Sequence, residues 1–125
     1  MIFDTDILIW VLRGNDRAAG IIDRSDTRRI SIITYMELLQ GSRSRKETQL
    51  LKAFLSDTGI IIIPLSEAVG HRASIYTEEY GLGSGLCLAD ALIAAAAVES
   101  GSTLCTGNER HFRSIRDLDL KVFRP

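Results

Sequence analysis

Apolar and polar residues fall in blocks along this chain. Met1–Phe3 is apolar, Asp4-Thr5-Asp6 is polar, and Ile7–Leu12 is an unbroken apolar run. The first block predicts a short buried strand over Met1–Asp4. The run after it predicts a helix reaching about Gly14, with Thr5 or Asp6 at its cap. That helix is apolar on every side, so it is either fully buried or keeps a face for another chain. Asp16–Asp26 predicts a second helix and Arg29–Ile33 a β-rich strand. Thr34 then caps a helix that carries Glu37 and ends at Gly41. Leu50, Leu51, Phe54 and Leu55 form a helical stripe within Arg45–Leu55. The β-branched run Ile60–Ile63, bounded by Gly59 and Pro64, predicts a strand covered on both faces. Ser66 caps a helix to about Tyr80, GLGSG is a turn, and Leu86–Ser100 is a helix stopped by Gly101. Thr103–Thr106 and Leu120–Phe123 are further strands.

Strands alternating with helices predict a three-layer α/β/α fold with a mainly parallel sheet. Sheets of this kind carry their sites at the carboxyl ends of strands, where the strand order reverses. Asp4 ends the first strand, Asn108 follows the fourth, and Glu37 lies on the helix after the second.

Composition narrows the class. The 125 residues suit one domain, 1–125, without internal repeat or linker. Net charge is −1, so any surface for a polyanion is local. Cys87 and Cys105 lie in apolar stretches without a CxxC pattern, and are expected to be small buried residues in a reducing cytoplasm. No segment approaches the roughly 20 apolar residues of a membrane span.

Asp90 is the most informative residue, since it is the single charged residue within Leu86–Val98, LCLADALIAAAAV. A carboxylate there needs a partner or takes up a proton, and it is expected to face a cleft. Asp4, Glu37 and Asn108 add oxygen donors at other element ends. Clustered carboxylates repel one another, and a hard divalent cation, Mg²⁺ or Mn²⁺, removes that repulsion. His71 and His111 stand alone, so neither a zinc cluster nor a His–acid pair for a nucleophile is expected. A metal held by acids is suited to phosphodiester hydrolysis.

The ordered set IFDTDILIW, TYMELLQG, LADALIAAAA and TGNERHF resembles a PIN domain over nearly the whole chain, and its short single-domain form is similar to VapC-type toxins of toxin–antitoxin pairs. The resemblance implies a metal-dependent ribonuclease cutting single-stranded or looped RNA (tRNA, rRNA or mRNA), inhibited by a VapB-like antitoxin. It implies Asp4 and Asp90 as the main metal ligands and Glu37 as the third acid. Thr5 and Thr106 become hydroxyl support, and Asp6 a less essential acid. The fourth acidic position is Asn108 here, a neutral and weaker donor, while Glu109 beside it is expected to point away. That substitution keeps open an alternative, a catalytically weak or inactive PIN-like module that binds RNA or protein. The resemblance also implies a homodimer, and an apolar groove for the antitoxin made by Ile7–Leu12 with the Leu50–Leu55 stripe. RNA needs nearby positive charge, for which Arg43, Arg45 and Lys46, and Arg110, Arg113 and Arg116 are candidates. Trp10 and Tyr35 are candidates for base stacking. The DTD opening is also similar to haloacid-dehalogenase-type phosphohydrolases, but Leu8 and TGNERHF depart from that pattern. A receiver-like domain would need an Asp after the third strand, and IIIIPLS contains none.

Overall fold

The computed structural model describes residues 1–125. In chain order the elements are β1 (Ile2–Phe3), α1 (Thr5–Leu12), α2 (Asp16–Arg24), β2 (Arg29–Ser31), α3 (Ile32–Gly41), α4 (Arg45–Asp57), β3 (Ile61–Ile63), α5 (Glu67–Tyr80), α6 (Leu88–Glu99), β4 (Leu104–Thr106), α7 (Glu109–Phe112) and β5 (Leu120–Val122).

Side-chain caps set most helix starts. Asn15, Ser31, Ser44 and Ser66 each accept a backbone N–H from the first turn that follows. Two expected caps move. Asp4, not Thr5 or Asp6, caps α1, because the chain turns into the helix directly after β1. Ser31, not Thr34, caps α3, and Thr34 becomes a fully buried residue inside the helix. The short α7 has no counterpart among the expected elements.

All five strands are parallel, in the order β3-β2-β1-β4-β5. β1 pairs with β2 on one side and with β4 on the other, so the order reverses between β1 and β4. The expected mainly parallel sheet is therefore wholly parallel. One expectation fails: the Ile60–Ile63 run is not covered on both faces. β3 is an edge strand, and Ile61 is 60% exposed. Its β-branched content reflects strand preference rather than burial.

Pleating sends neighbouring residues to opposite faces. Ile2 and Leu104 join the core with α5, α6, Phe112 and Ile115, whereas Phe3 and Cys105 join the core with α1, α2, α3 and α4. This gives the three layers. Ala91 and Ala94–Ala97 are buried along α6, and their small side chains let the helix lie close to its neighbours. Arg72 on α5 reaches Glu99 and Asp117, and the Tyr76 hydroxyl donates to Asp117 at 2.9 Å, fastening that layer.

Candidate active site

The reversal between β1 and β4 places Asp4 beside Thr106. The Asp4 N–H donates to the Cys105 carbonyl at 2.9 Å, continuing the sheet ladder by one residue. Asp4 itself is 5% exposed. Its Oδ2 accepts from the Thr106 hydroxyl at 2.7 Å and its Oδ1 from the Thr5 N–H at 2.8 Å. The Thr106 Oγ1 in turn accepts from the Asn108 N–H at 3.0 Å. Burial, and then the charge of Asp6, push the Asp4 carboxyl up to about 7; Asp90 adds a smaller push, and the two hydrogen bonds oppose it.

Asp6, one residue into α1, turns to the loop after β4. Its Oδ2 accepts from the Gly107 N–H at 2.8 Å. Its Oδ1 is buried without a hydrogen-bond partner, and burial raises its carboxyl. Glycine is required at 107 by this close approach: a Cβ there would lie 2.6 Å from Asp6 Oδ2.

Glu37 lies on exposed α3 surface, anchored from α1. The Thr5 hydroxyl is 2.6 Å from Glu37 Oε1 and 3.1 Å from the buried Thr34 hydroxyl. Asp90 lies in the first turn of α6, and its side chain is 14% exposed. Its Oδ2 accepts from the Cys87 thiol at 3.1 Å and stands 3.3 Å from His111 Nδ1.

Asp6 and Asp90 thus each lie within electrostatic reach of Asp4 at the carboxyl edge of the sheet. Glu37 is tied to this edge through Thr5, and Asn108 through Thr106. Asn108 itself is exposed and makes no side-chain cap to α7. No three His, Cys, Asp or Glu side chains converge as a ready-made metal cage. Mg²⁺ needs no such cage, since it is commonly held by one or two carboxylates and keeps several waters. The hard oxygen donors and the partnerless Asp6 Oδ1 suit such an ion, and a cation at Asp4 would offset the burial and the Asp6 charge that raise its carboxyl.

Several expectations change here. His111 does not stand alone but faces Asp90. Cys87 is exposed rather than buried, whereas Cys105 is fully buried as expected. Glu109 turns to Arg124, 3.3 Å away, in keeping with the expectation that it points away. Trp10 and Tyr35 pack against the core beneath α1 and α3. Thr34, Gly107 and His111 were missed by sequence reasoning. Thr34 was masked by its resemblance to a cap, and His111 sits on a helix too short to show a period.

The apolar groove exists, walled by part of each expected segment, Ile9 and Leu12 from the first and Leu50 and Leu51 from the second. Ile9, Leu12, Leu38, Leu50 and Leu51 line a space of about 610 Å³ that reaches Glu37. Ile7 and Leu8 instead point into the core.

Together these features define a wholly parallel α/β/α domain with an acidic site at its strand-order reversal. The PIN domain family matches residues 1–118. Ribonuclease VapC1 of Methanocaldococcus jannaschii is 31% identical over 94 residues, covering 75% of this chain and 68% of that protein. Ribonuclease VapC28 of Mycobacterium tuberculosis is 29% identical over 109 residues, covering 79% and 82%. Among solved structures, a toxin–antitoxin complex from Klebsiella pneumoniae aligns with a TM-score of 0.79 and 31% identity, covering 94% of this chain and 93% of that one. A DNA-bound VapBC from Salmonella typhimurium, 20% identical, shares the fold with a TM-score of 0.85 over 97% and 96% of the two chains. The chain belongs to the PIN-domain family, among its VapC-type members.

Proposed function

We propose that this protein is an endoribonuclease toxin that uses Mg²⁺ or Mn²⁺ and is held inactive by a VapB-like antitoxin. The observation that carries the reading is the buried Asp4 at the sheet reversal, with Asp6 and Asp90 each within electrostatic reach of it and its carboxyl pushed up to about 7 by burial and by Asp6. Asp4 and Asp90 would hold the ion, with Glu37 as the third acid and Asn108 as a neutral donor. The ion would supply Lewis-acid polarisation of a phosphodiester and hydroxide at neutral pH. The chain's own residues fix the donors. Thr106 and the Thr5 N–H orient Asp4, the Thr5 hydroxyl orients Glu37, and Cys87 with His111 orients Asp90.

The groove beside Glu37 is the surface we assign to the antitoxin, because an amphipathic helix fits an apolar groove with charged rims. Ile9, Leu12 and Leu50 supply exposed apolar contacts, while Arg13, Arg43 and Glu47 supply the rim. A cytoplasmic homodimer belongs to the same reading. No helix is long and apolar enough to cross a membrane.

Asn108 favours a second reading, a PIN module that binds RNA without cutting it. One experiment separates the two: incubation of mixed tRNA and mRNA with purified protein in Mg²⁺ or Mn²⁺, in EDTA, and with Asp90→Asn. Cleavage that disappears in EDTA and falls at least 100-fold in the variant supports the nuclease. Binding without cleavage by folded, antitoxin-free protein in either metal supports the module.

A further inference from the structure

Beyond Asn108 lies a second concavity that the acids do not use. It encloses about 290 Å³, and none of its lining residues is apolar. Asn108, Arg110, His111, Arg113 and Arg124 form most of its wall. Two of these also belong to the acidic site: Asn108 through its N–H on Thr106, and His111 through Asp90.

The charges in this pocket are unequally matched. Arg124 is paired with Glu109 at 3.3 Å. Arg110 and Arg113 have no carboxylate within 4.0 Å and no side-chain hydrogen bond, so two guanidinium groups face the concavity uncommitted. Guanidinium forks match phosphate oxygens two at a time. The wall offers no apolar surface for a side chain, and its one ring, the His111 imidazole, is turned to Asp90. The net charge of −1 means that no general attraction brings a polyanion here; this pocket must supply its own.

We propose that this pocket is a phosphate subsite for the RNA strand. It would take a backbone phosphate next to the one being cut, gripped by Arg110 and Arg113, with Arg124 held at the rim by Glu109. The proposal rests on the ribonuclease reading and adds where the strand runs: from the carboxylates, past Asn108, into the basic pocket. Such a subsite reads backbone and not sequence, so its contribution is the same for every RNA that is cut.

The test compares Arg110→Ala/Arg113→Ala with Arg116→Ala. Arg116 is equally exposed in the same segment but does not line the pocket. A fluorescent single-stranded RNA is titrated in EDTA across a salt series, and its cleavage is followed in Mg²⁺ or Mn²⁺. The double variant is expected to raise Kd and KM about tenfold, leave kcat within about twofold, and flatten the log–log salt slope by about 0.7, the value for one single-strand phosphate contact. Arg116→Ala should change none of these. Unchanged Kd, KM and slope in the double variant, or a loss confined to kcat, overturns the subsite while wild-type cleavage leaves the ribonuclease reading standing. If wild type binds but does not cut, Kd and slope alone decide the subsite, and only the nuclease reading falls. If wild type neither binds nor cuts RNA, both are overturned.

Discussion

Asp4 concentrates the cost of the site in one side chain. Its carboxyl sits at about 7 in the folded protein against an ordinary value of 3.8, chiefly because it is buried and secondly because Asp6 is near. The sign follows from proton linkage. Below pH 3.8 both folded and unfolded chains hold the proton, and the associated stability is complete. As pH rises towards 7 the unfolded chain releases its proton first, so stability falls; above 7 the loss is complete. The fall is on the order of 4 kcal/mol across that window. Asn at position 4 keeps the cap and the acceptor for Thr106 but cannot ionise. Asp4→Asn should therefore flatten the stability profile between pH 5 and 8 in EDTA, and be the more stable protein at pH 8, as read by urea unfolding. Adding Mg²⁺ above pH 7 should stabilise wild type more than the variant. Parallel wild-type and variant profiles would count against Asp4 as the source.

At the scale of elements, α6 does two jobs that constrain each other. Its first turn presents Asp90, and its remaining turns bury Ala94–Ala97 against the sheet and α5. Ala95 is fully buried, so Ala95→Leu should overpack this layer and cost about 1–3 kcal/mol, measured as a lower denaturant midpoint. The alanine run made this helix legible in the sequence, and the Ser66 cap did the same for α5. Other elements were misread where two residues could serve the same local purpose. Thr34 reads as the cap of α3, but β2 ends at Ser31, two residues earlier than expected, and Ser31 takes that place. The isoleucines of β3 read as interior because composition reports strand preference, not place in the sheet. The four-residue α7 holds too few positions to show any pattern, so the contact of His111 with Asp90 was not visible. Which acids lie at strand ends was legible, and the family resemblance named Thr5 and Thr106 as hydroxyl support; which acid each one holds was not, because those bonds join residues as far apart as Asp4 and Thr106.

At the scale of the molecule, the acidic site, the basic pocket and the apolar groove share one end of the sheet. The groove touches the site through Glu37, and the basic pocket touches it through Asn108. A partner filling the groove therefore lies against the acids without having to enter them. Leu50 is 61% exposed on α4 and lines that groove. Leu50→Asp should leave the stability of the isolated protein within about 0.5 kcal/mol. It should weaken binding of a cognate antitoxin at least tenfold, measured by calorimetric titration, and so yield a nuclease that its partner no longer restrains. Retained affinity would remove the antitoxin from this groove.

The pairing of β1 with β4 also has a consequence for synthesis. The bond that orients Asp4 spans 102 positions of the chain, and β1 cannot complete its ladder until β4 exists. A chain still being made, or cut short before Thr106, carries Asp4, Glu37 and Asp90 but not the strand and hydroxyl that gather them. Assembly of the site thus waits until translation has passed Thr106, and a product ending between Asp90 and Thr106 is expected to lack cleavage.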